Sequence, residues 1–380
     1  MRDRLKGLLF GLTTVCLSGM LFVGGTITAK AVDVIPAEEQ TKENAGKVWG
    51  KQINYVNGLI ENNDEITFLP GKTYNLEASM NIPAGKNLKI IATDATIITS
   101  KGALSNLNDS NSVGYNKIGG VEIIGGTWKS DKASGGTTSA FKIAHSSNIT
   151  FKDMDIQNTS VDNHSIELVG CKNVTIDGCT VVGIGNKKGR EEQIQIDLAS
   201  PASAGNLVKG SALNGATCEN VTIKNCTVTG NCAIGINSDS PDTKSSGSIK
   251  KGQFASKCHK NIKILNNTLV GTKSEGLRAY NVINLQVIGN TVTSTVAPKK
   301  AKYLTDATAI HVLNRGPSKK MTCVIKNNTA TGQFYGICVH SNGGKIKKAT
   351  VTGNKAVSKK AKNNKILVTG CKKMTVKNNK

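Results

Sequence analysis

A short unit that returns along most of the chain limits the available folds more than any other sequence feature. Apolar and polar residues alternate in ITFKDMDI after Asn148, VTIDGCTV after Asn173 and VTIKNCTV after Asn220. The pattern continues in IKILNNTL after Asn261 and LQVIGNTV after Asn284, with weaker copies near Thr322, Ala349 and Met374. Each copy reads as a short strand, a two-residue turn and a second short strand. The second turn residue is Gly178, Asn225, Asn266, Gly289, Asn327, Gly353 or Asn378. Only Gly and Asn occur there, which predicts backbone held at positive φ.

A third strand precedes each pair, starting at Ala140, Ser165, Gln193, Ala233, Gly276, Ala309, Gly336 and Lys365. With no helix between strands and a unit of about 23 to 28 residues where uninterrupted, the chain reads as a solenoid. No single unit can bury its apolar side alone, so stacking must supply one continuous core. Strands of successive coils then pair in parallel, about 4.8 Å apart.

These features resemble the right-handed parallel β-helix superfamily of pectate-lyase-like proteins, of the secreted bacterial carbohydrate-active or cell-surface type. The resemblance covers roughly Glu65 to Lys380. It implies an all-β fold, a right-handed parallel β-helix solenoid with three strands per coil and an N-terminal capping helix. Asn148, Asn173, Asn220, Asn261 and Asn284 match the stacked asparagine turn of that superfamily, whose amides bond from coil to coil.

The expected organisation is a signal peptide over residues 1–31, an N-terminal segment with the capping helix over 32–64, and the β-helix over 65–380. Arg2, Arg4 and Lys6 precede an uncharged run from Leu8 to Ile27, and Ala29-Lys30-Ala31 offers a cleavage site. Such a segment would touch the membrane only transiently, and the product would be secreted, with wall association as an option. Val48, Ile53, Val56 and Ile60 have helical spacing within Lys47 to Asn62 and suit a cap over the open core. The sequence stops inside a repeat, where either the Lys-rich terminus guards the coil edge or more chain follows.

Ten cysteines in an exported chain invite disulfides. Their register favours another reading. Cys171 and Cys218 share one turn position with Cys258 one residue off, and Cys179 and Cys226 share another. Small buried side chains stacked in the core explain this pattern; bridges between aligned coils stay open as the alternative.

Alternation along the third-strand series places two columns on its outward side. One contains Lys142, Glu167, Gln195, Gly235, Arg278, His311, Cys338 and Leu367. The other contains Ala144, Val169, Asp197, Asn237, Tyr280, Leu313, His340 and Thr369. Two insertions, Ser200 to Ala216 and Ser238 to Lys257, leave just after this strand in adjacent coils and should wall the same face as a groove.

Glu167, Asp197, Arg278 and His311 are therefore the candidate catalytic residues. His164, Gln195, Asn237, Tyr280, Asn314 and His340 are the candidate substrate-binding residues. A glycoside hydrolase would use Glu167 and Asp197 as its two carboxyl groups. A uronate lyase or epimerase would instead need a base and a cation on the sugar carboxylate, roles open to Arg278, Tyr280 and His311. Asp162-Asn163-His164 is similar to the Asp-x-His element of β-helical alginate epimerases, although an Asp-Asn turn also explains it. The two-Asp motif of polygalacturonases is missing, as is a clustered set of acidic calcium ligands. No metal-ligand residues and no cofactor are expected; calcium is the divalent cation such chemistry would otherwise call for.

Charge adds one constraint on partners. The chain carries +23, and from Lys299 to Lys380 there are 19 Lys and Arg against the single acid Asp306, a net +18. Such a surface attracts polyanions. An exported chain with only 4% aromatic residues points to an anionic polysaccharide or cell-wall polymer, and not to nucleic acid. The expected function is a secreted polysaccharide-active enzyme, monomeric, acting on an acidic glycan. The alternative is a non-catalytic surface module that binds glycan or wall polymer.

Overall fold

The computed structural model describes residues 30–105, 114–130, 140–158, 164–183, 191–204, 208, 210–297, 304–359 and 365–380. The expected signal peptide up to Ala29 lies outside them, as do Asp162 and Asn163. Three parallel sheets of 12, 10 and 9 strands wind into a right-handed parallel β-helix with three strands per coil. Every inter-coil pairing is parallel and in register: Ile149 faces Val174, Val174 faces Val221, and Val221 faces Ile262. These aligned Val and Ile side chains are fully buried, which is how units that cannot fold alone share one core. The largest sheet reaches back to Ala31–Val34, which pairs with Glu65–Phe68 inside the stretch expected to be a separate N-terminal segment.

A capping helix spans Gln52–Asn62 and buries Ile53, Tyr55, Val56 and Ile60. It starts later than the sequence spacing predicts, because the Glu77 carboxylate accepts from the backbone N–H groups of Gln52 and Ile53, at 3.3 and 3.2 Å. Those are donors a helix start leaves unsatisfied. Val48 falls outside the helix and is 67% exposed. Beneath the cap the interior holds an edge-to-face chain of aromatic rings, Tyr74–Phe68–Trp128–Phe141–Phe151. Among the described residues no helix is long and apolar enough to cross a membrane.

The turns follow the sequence pattern closely. Asn225, Asn266, Asn327 and Asn378 have φ near +55°, and Gly178, Gly289 and Gly353 lie near +70°. Asn148, Asn173, Asn220, Asn261 and Asn284 form the expected ladder, each amide nitrogen donating to the oxygen of the previous coil at 2.8–2.9 Å. That ladder lies on the outside. A second one, not anticipated, runs through Asn267, Asn290, Asn328, Asn354 and Asn379, immediately after the positive-φ residues. It is the buried one, and it satisfies backbone N–H and carbonyl groups enclosed at the turn. In two preceding coils Cys179 and Cys226 occupy the same inward slot. All nine described cysteines are free thiols, eight of them buried, in agreement with stacked small side chains.

Candidate functional site

The third-strand columns exist as read from the sequence. Glu167 pairs with Gln195, Gln195 with Gly235, Gly235 with Arg278, Arg278 with His311, and His311 with Cys338. In the second column Val169 pairs with Asp197, and Tyr280 faces Leu313, which faces His340. The face is not the open, solvated groove that alternation suggests. Glu167, Gln195, Asp197, Arg278 and His311 are each less than 9% exposed.

Two things close it. The first insertion packs Ala199, Ala204, Val208 and Ala212 onto Ala144 and Val169, covering the coils around Asp197. Ser200 then ties that insertion to the second one through a 2.8 Å hydrogen bond to Asp239. The other closure comes from Glu192, which starts the strand Glu192–Asp197. Its side chain crosses the space above Gly235, where a Cβ would lie 2.1 Å from the Glu192 Cγ. It there accepts from the Asn237 amide at 3.2 Å and ion-pairs with the Arg278 guanidinium. Gly235 is required because any side chain would evict this bridge. The ladder is thereby divided into two clusters.

The N-terminal cluster holds Glu167, Gln195 and Asp197, with His164 beside it. Asp197 is fully buried, and neither carboxylate oxygen has a donor in good hydrogen-bond geometry among the described residues. Burial first, and the neighbouring Glu167 charge second, push its pKa well above the usual carboxylate range, opposed by the Asn237 amide. His164 hydrogen-bonds the Glu192 backbone carbonyl, and burial together with Lys142 and Arg278 lowers its pKa to about 3, keeping it neutral. Both carboxyl groups of this cluster are buried, Glu167 as well as Asp197.

The C-terminal cluster opens to solvent as a pocket of about 360 Å³ lined by Asn237, Arg278, Tyr280, Asp306, His311, Arg315, His340 and Asn342, among others. It thus gathers five of the sequence candidates: Asn237, Arg278, Tyr280, His311 and His340. Glu167, Gln195, Asp197, His164 and Asn314 do not line it. Asn314 is fully buried and holds loop backbone through the carbonyls of Ser318 and Gly344. In the pocket two guanidiniums lie near the Tyr280 ring, Arg278 at 5.8 Å and Arg315 at 5.3 Å from its centroid. Arg278 is neutralised by Glu192. Arg315 donates to the Ser238 carbonyl at 3.0 Å, and its charge acts on Asp239 in the same loop.

Behind the pocket Glu275, with no exposed surface, accepts from His311 Nδ1 at 2.9 Å. Burial opposes its charge, but the His311 hydrogen bond and charge and the Ser274 hydroxyl hold its pKa below the usual value. His311 Nε2 meets His340 Nε2 at 2.8 Å, the two rings edge to edge and nearly coplanar, with 3° between their planes. Burial and the His311 charge lower the His340 pKa to about 4, so it is neutral at physiological pH.

Glu192, Glu275 and Arg315 escaped the sequence reading. None occupies an outward column of a strand: Glu192 and Glu275 precede the alternating core segments, and Arg315 follows one. A second cavity, about 630 Å³, is walled in part by Pro317, Ser318, Lys319 and Lys320, which follow Arg315 in the chain. Lys257, Lys260, Lys319 and Lys320 line it, with Glu219 as its acid.

Three parallel sheets coiled about one core, with loops raised beside a cavity on one of them, define a right-handed parallel β-helix. Among solved structures the chain is similar to PfbA, a surface adhesin of Streptococcus pneumoniae. In one PfbA structure the identity is 18% over 91% of this chain and 89% of that one, with a TM-score of 0.62. In a second it is 16% over 86% and 84%, with a TM-score of 0.58. The A-module of a mannuronan C-5 epimerase from Azotobacter vinelandii aligns at 12% identity over 87% of this chain and 95% of that one; its TM-score of 0.43 is too low to argue from. No protein-family model matches the chain, and no curated protein matches it in sequence.

Proposed function

We propose that this protein is an exported or surface-borne β-helix that binds an acidic polysaccharide. The polymer crosses the segment from Arg315 to Lys320, between the Tyr280 pocket and the lysine-lined cavity. Arg315 carries the reading: it is a pocket-lining guanidinium over an aromatic ring, without a carboxylate in ion-pair contact among the described residues. Ring and guanidinium together suit one sugar unit bearing a carboxylate. The neighbouring lysines and the +18 balance of the last coils supply long-range attraction to the rest of the chain. The likeness to a surface adhesin agrees with a binding role and an extracellular setting.

Replacing Arg315 with alanine should weaken binding to the preferred anionic polysaccharide about 10- to 100-fold, as expected for one charged hydrogen bond. Its denaturation midpoint should hardly move. Calorimetry against a panel of uronate, sulfated and wall polymers measures this. Unchanged affinity in the variant, or no binding by the parent protein to any polyanion, refutes the assignment.

A second reading rests on the pocket chemistry. Tyr280 and His340 are candidate bases beside a cationic guanidinium, the pair that proton abstraction next to a uronate carboxylate requires. In that case the parent protein depolymerises or epimerises the polymer it binds, and product analysis on the same panel separates the two readings. The two-carboxyl hydrolase at Glu167 and Asp197 is the least supported, because both groups are enclosed.

A further inference from the structure

The buried end of the pocket contains nitrogen and sulfur donors that polysaccharide binding does not use. His311 and Cys338 are register partners on adjacent strands, and His340 lies two residues beyond Cys338, on the same side of its strand. One ligand atom from each lies within 4.8 Å of the others. Among the described residues this is the one such convergence of three His, Cys, Asp or Glu side chains.

We propose that His311, Cys338 and His340 bind a single zinc ion. The supporting geometry begins behind His311. The Glu275 carboxylate accepts from Nδ1, which fixes the ring as the Nδ1–H tautomer and turns the lone pair of Nε2 toward His340 and Cys338. A carboxylate behind a ligand histidine is the recurring outer-sphere arrangement of protein zinc sites. His340 presents its Nε2 to the same point. In the metal-free state the His340 Nε2–H donates to the His311 Nε2 lone pair; on metal binding that proton moves to His340 Nδ1, so both imidazoles stay neutral and each presents a lone pair.

Two imidazoles and a thiolate form a soft-to-borderline donor set that suits zinc and does not suit calcium, which takes six to eight oxygens. The charges balance as well. Zinc brings two positive charges, the Cys338 thiolate and the Glu275 carboxylate bring two negative ones, and the thiol proton is released to solvent. Tetrahedral zinc has bonds of about 2.0–2.3 Å and sets its two histidine nitrogens about 3.3 Å apart, so small side-chain rotations that part the Nε2 atoms from 2.8 Å make room for it. The fourth position faces the pocket and Arg315, where water or a carboxylate from the bound polymer can take it. The inference stands apart from the polysaccharide reading, since zinc binding is measured without any polymer. It does remove His340 from the candidate bases, because the metal occupies its lone pair.

The test is titration of chelator-stripped full-length protein with zinc chloride, alongside cobalt substitution. One zinc per chain is expected, and the cobalt form should show the near-ultraviolet charge-transfer band of a thiolate ligand. Cys338→Ala, which removes a single sulfur, should abolish that band, and His340→Ala, at a half-exposed position, should abolish stoichiometric zinc uptake. Glu275→Gln should lower zinc affinity about 10- to 100-fold. Circular dichroism confirms folding of the variants, and the band in the parent protein reports the thiolate whether or not any variant folds. No stoichiometric uptake by the parent, no charge-transfer band, or undiminished uptake by folded Cys338→Ala and His340→Ala overturns the proposal.

Discussion

Asn328→Ala is expected to cost about 4 kcal/mol of stability, the sum of two newly orphaned buried groups at roughly 1–3 kcal/mol each. The Asn328 amide oxygen accepts from the backbone N–H and the side chain of Asn290, and its nitrogen donates to Val287 O and to Asn354 Oδ1. Alanine keeps the backbone but strands the Asn290 N–H and the Val287 carbonyl in a turn that water does not reach. The adjacent coils then lose their shared interface, and in a solenoid that interface is the unit of stability. Asn284→Gly is the matched control: it deletes one exposed amide contact and retains a residue suited to φ of 60°. It should cost no more than about 1 kcal/mol. Denaturant unfolding of both variants decides the matter, and equal losses would mean that the buried ladder has no special role.

Asp197→Asn should stabilise the protein, and by more at pH 8 than at pH 4. The native pKa of Asp197 is raised far above its unfolded value, so the native state holds a proton that the unfolded chain releases. Between those two values stability falls as pH rises, by more than ~1 kcal/mol per pH unit for a single site. Asparagine removes the penalty while keeping the shape. The gain should shrink toward pH 4, near the unfolded pKa, and vanish only well below it, where both states of the parent carry the proton. Glu275 has the opposite sign: its pKa is lowered, so its contribution is present above the ordinary carboxylate range and lost on acidification. Thermal melts of the parent and Asp197→Asn across this pH range provide the measurement. A gain independent of pH, or a loss at pH 8, would show that Asp197 is neither protonated nor an electrostatic burden.

A retained burden of this kind has a mechanical counterpart in the fold. Asp197 lies where the first insertion docks, beside the Ala144 and Val169 surface it covers. The Ser200–Asp239 bond joins that insertion to the loop whose Ser238 carbonyl anchors Arg315. The enclosed carboxyl cluster and the open pocket are thus two parts of one loop scaffold.

The period of the sequence determined the winding, the three sheets and the register, because each alternating segment has one apolar side that only a stacked copy can cover. It therefore placed Glu167, Gln195, Arg278, His311 and Cys338 in one column without further information, and put Gly or Asn at most of the left-handed turns, with Asp153 holding the equivalent turn of the first copy. Which asparagines are buried was not legible. The Asn148 and Asn267 series differ by their position at the turn, and the path of the chain decides which one faces the core. Nor could the repeat show that Glu192 lies across Gly235, that Glu275 stands behind His311, or that Arg315 closes on Tyr280. Each of these residues flanks a strand, where alternation no longer fixes direction. Local periodicity is set by neighbours along the chain, whereas the division of one ladder into a sealed cluster and an open pocket is set by loops packing across coils, and only the tertiary structure fixes that packing.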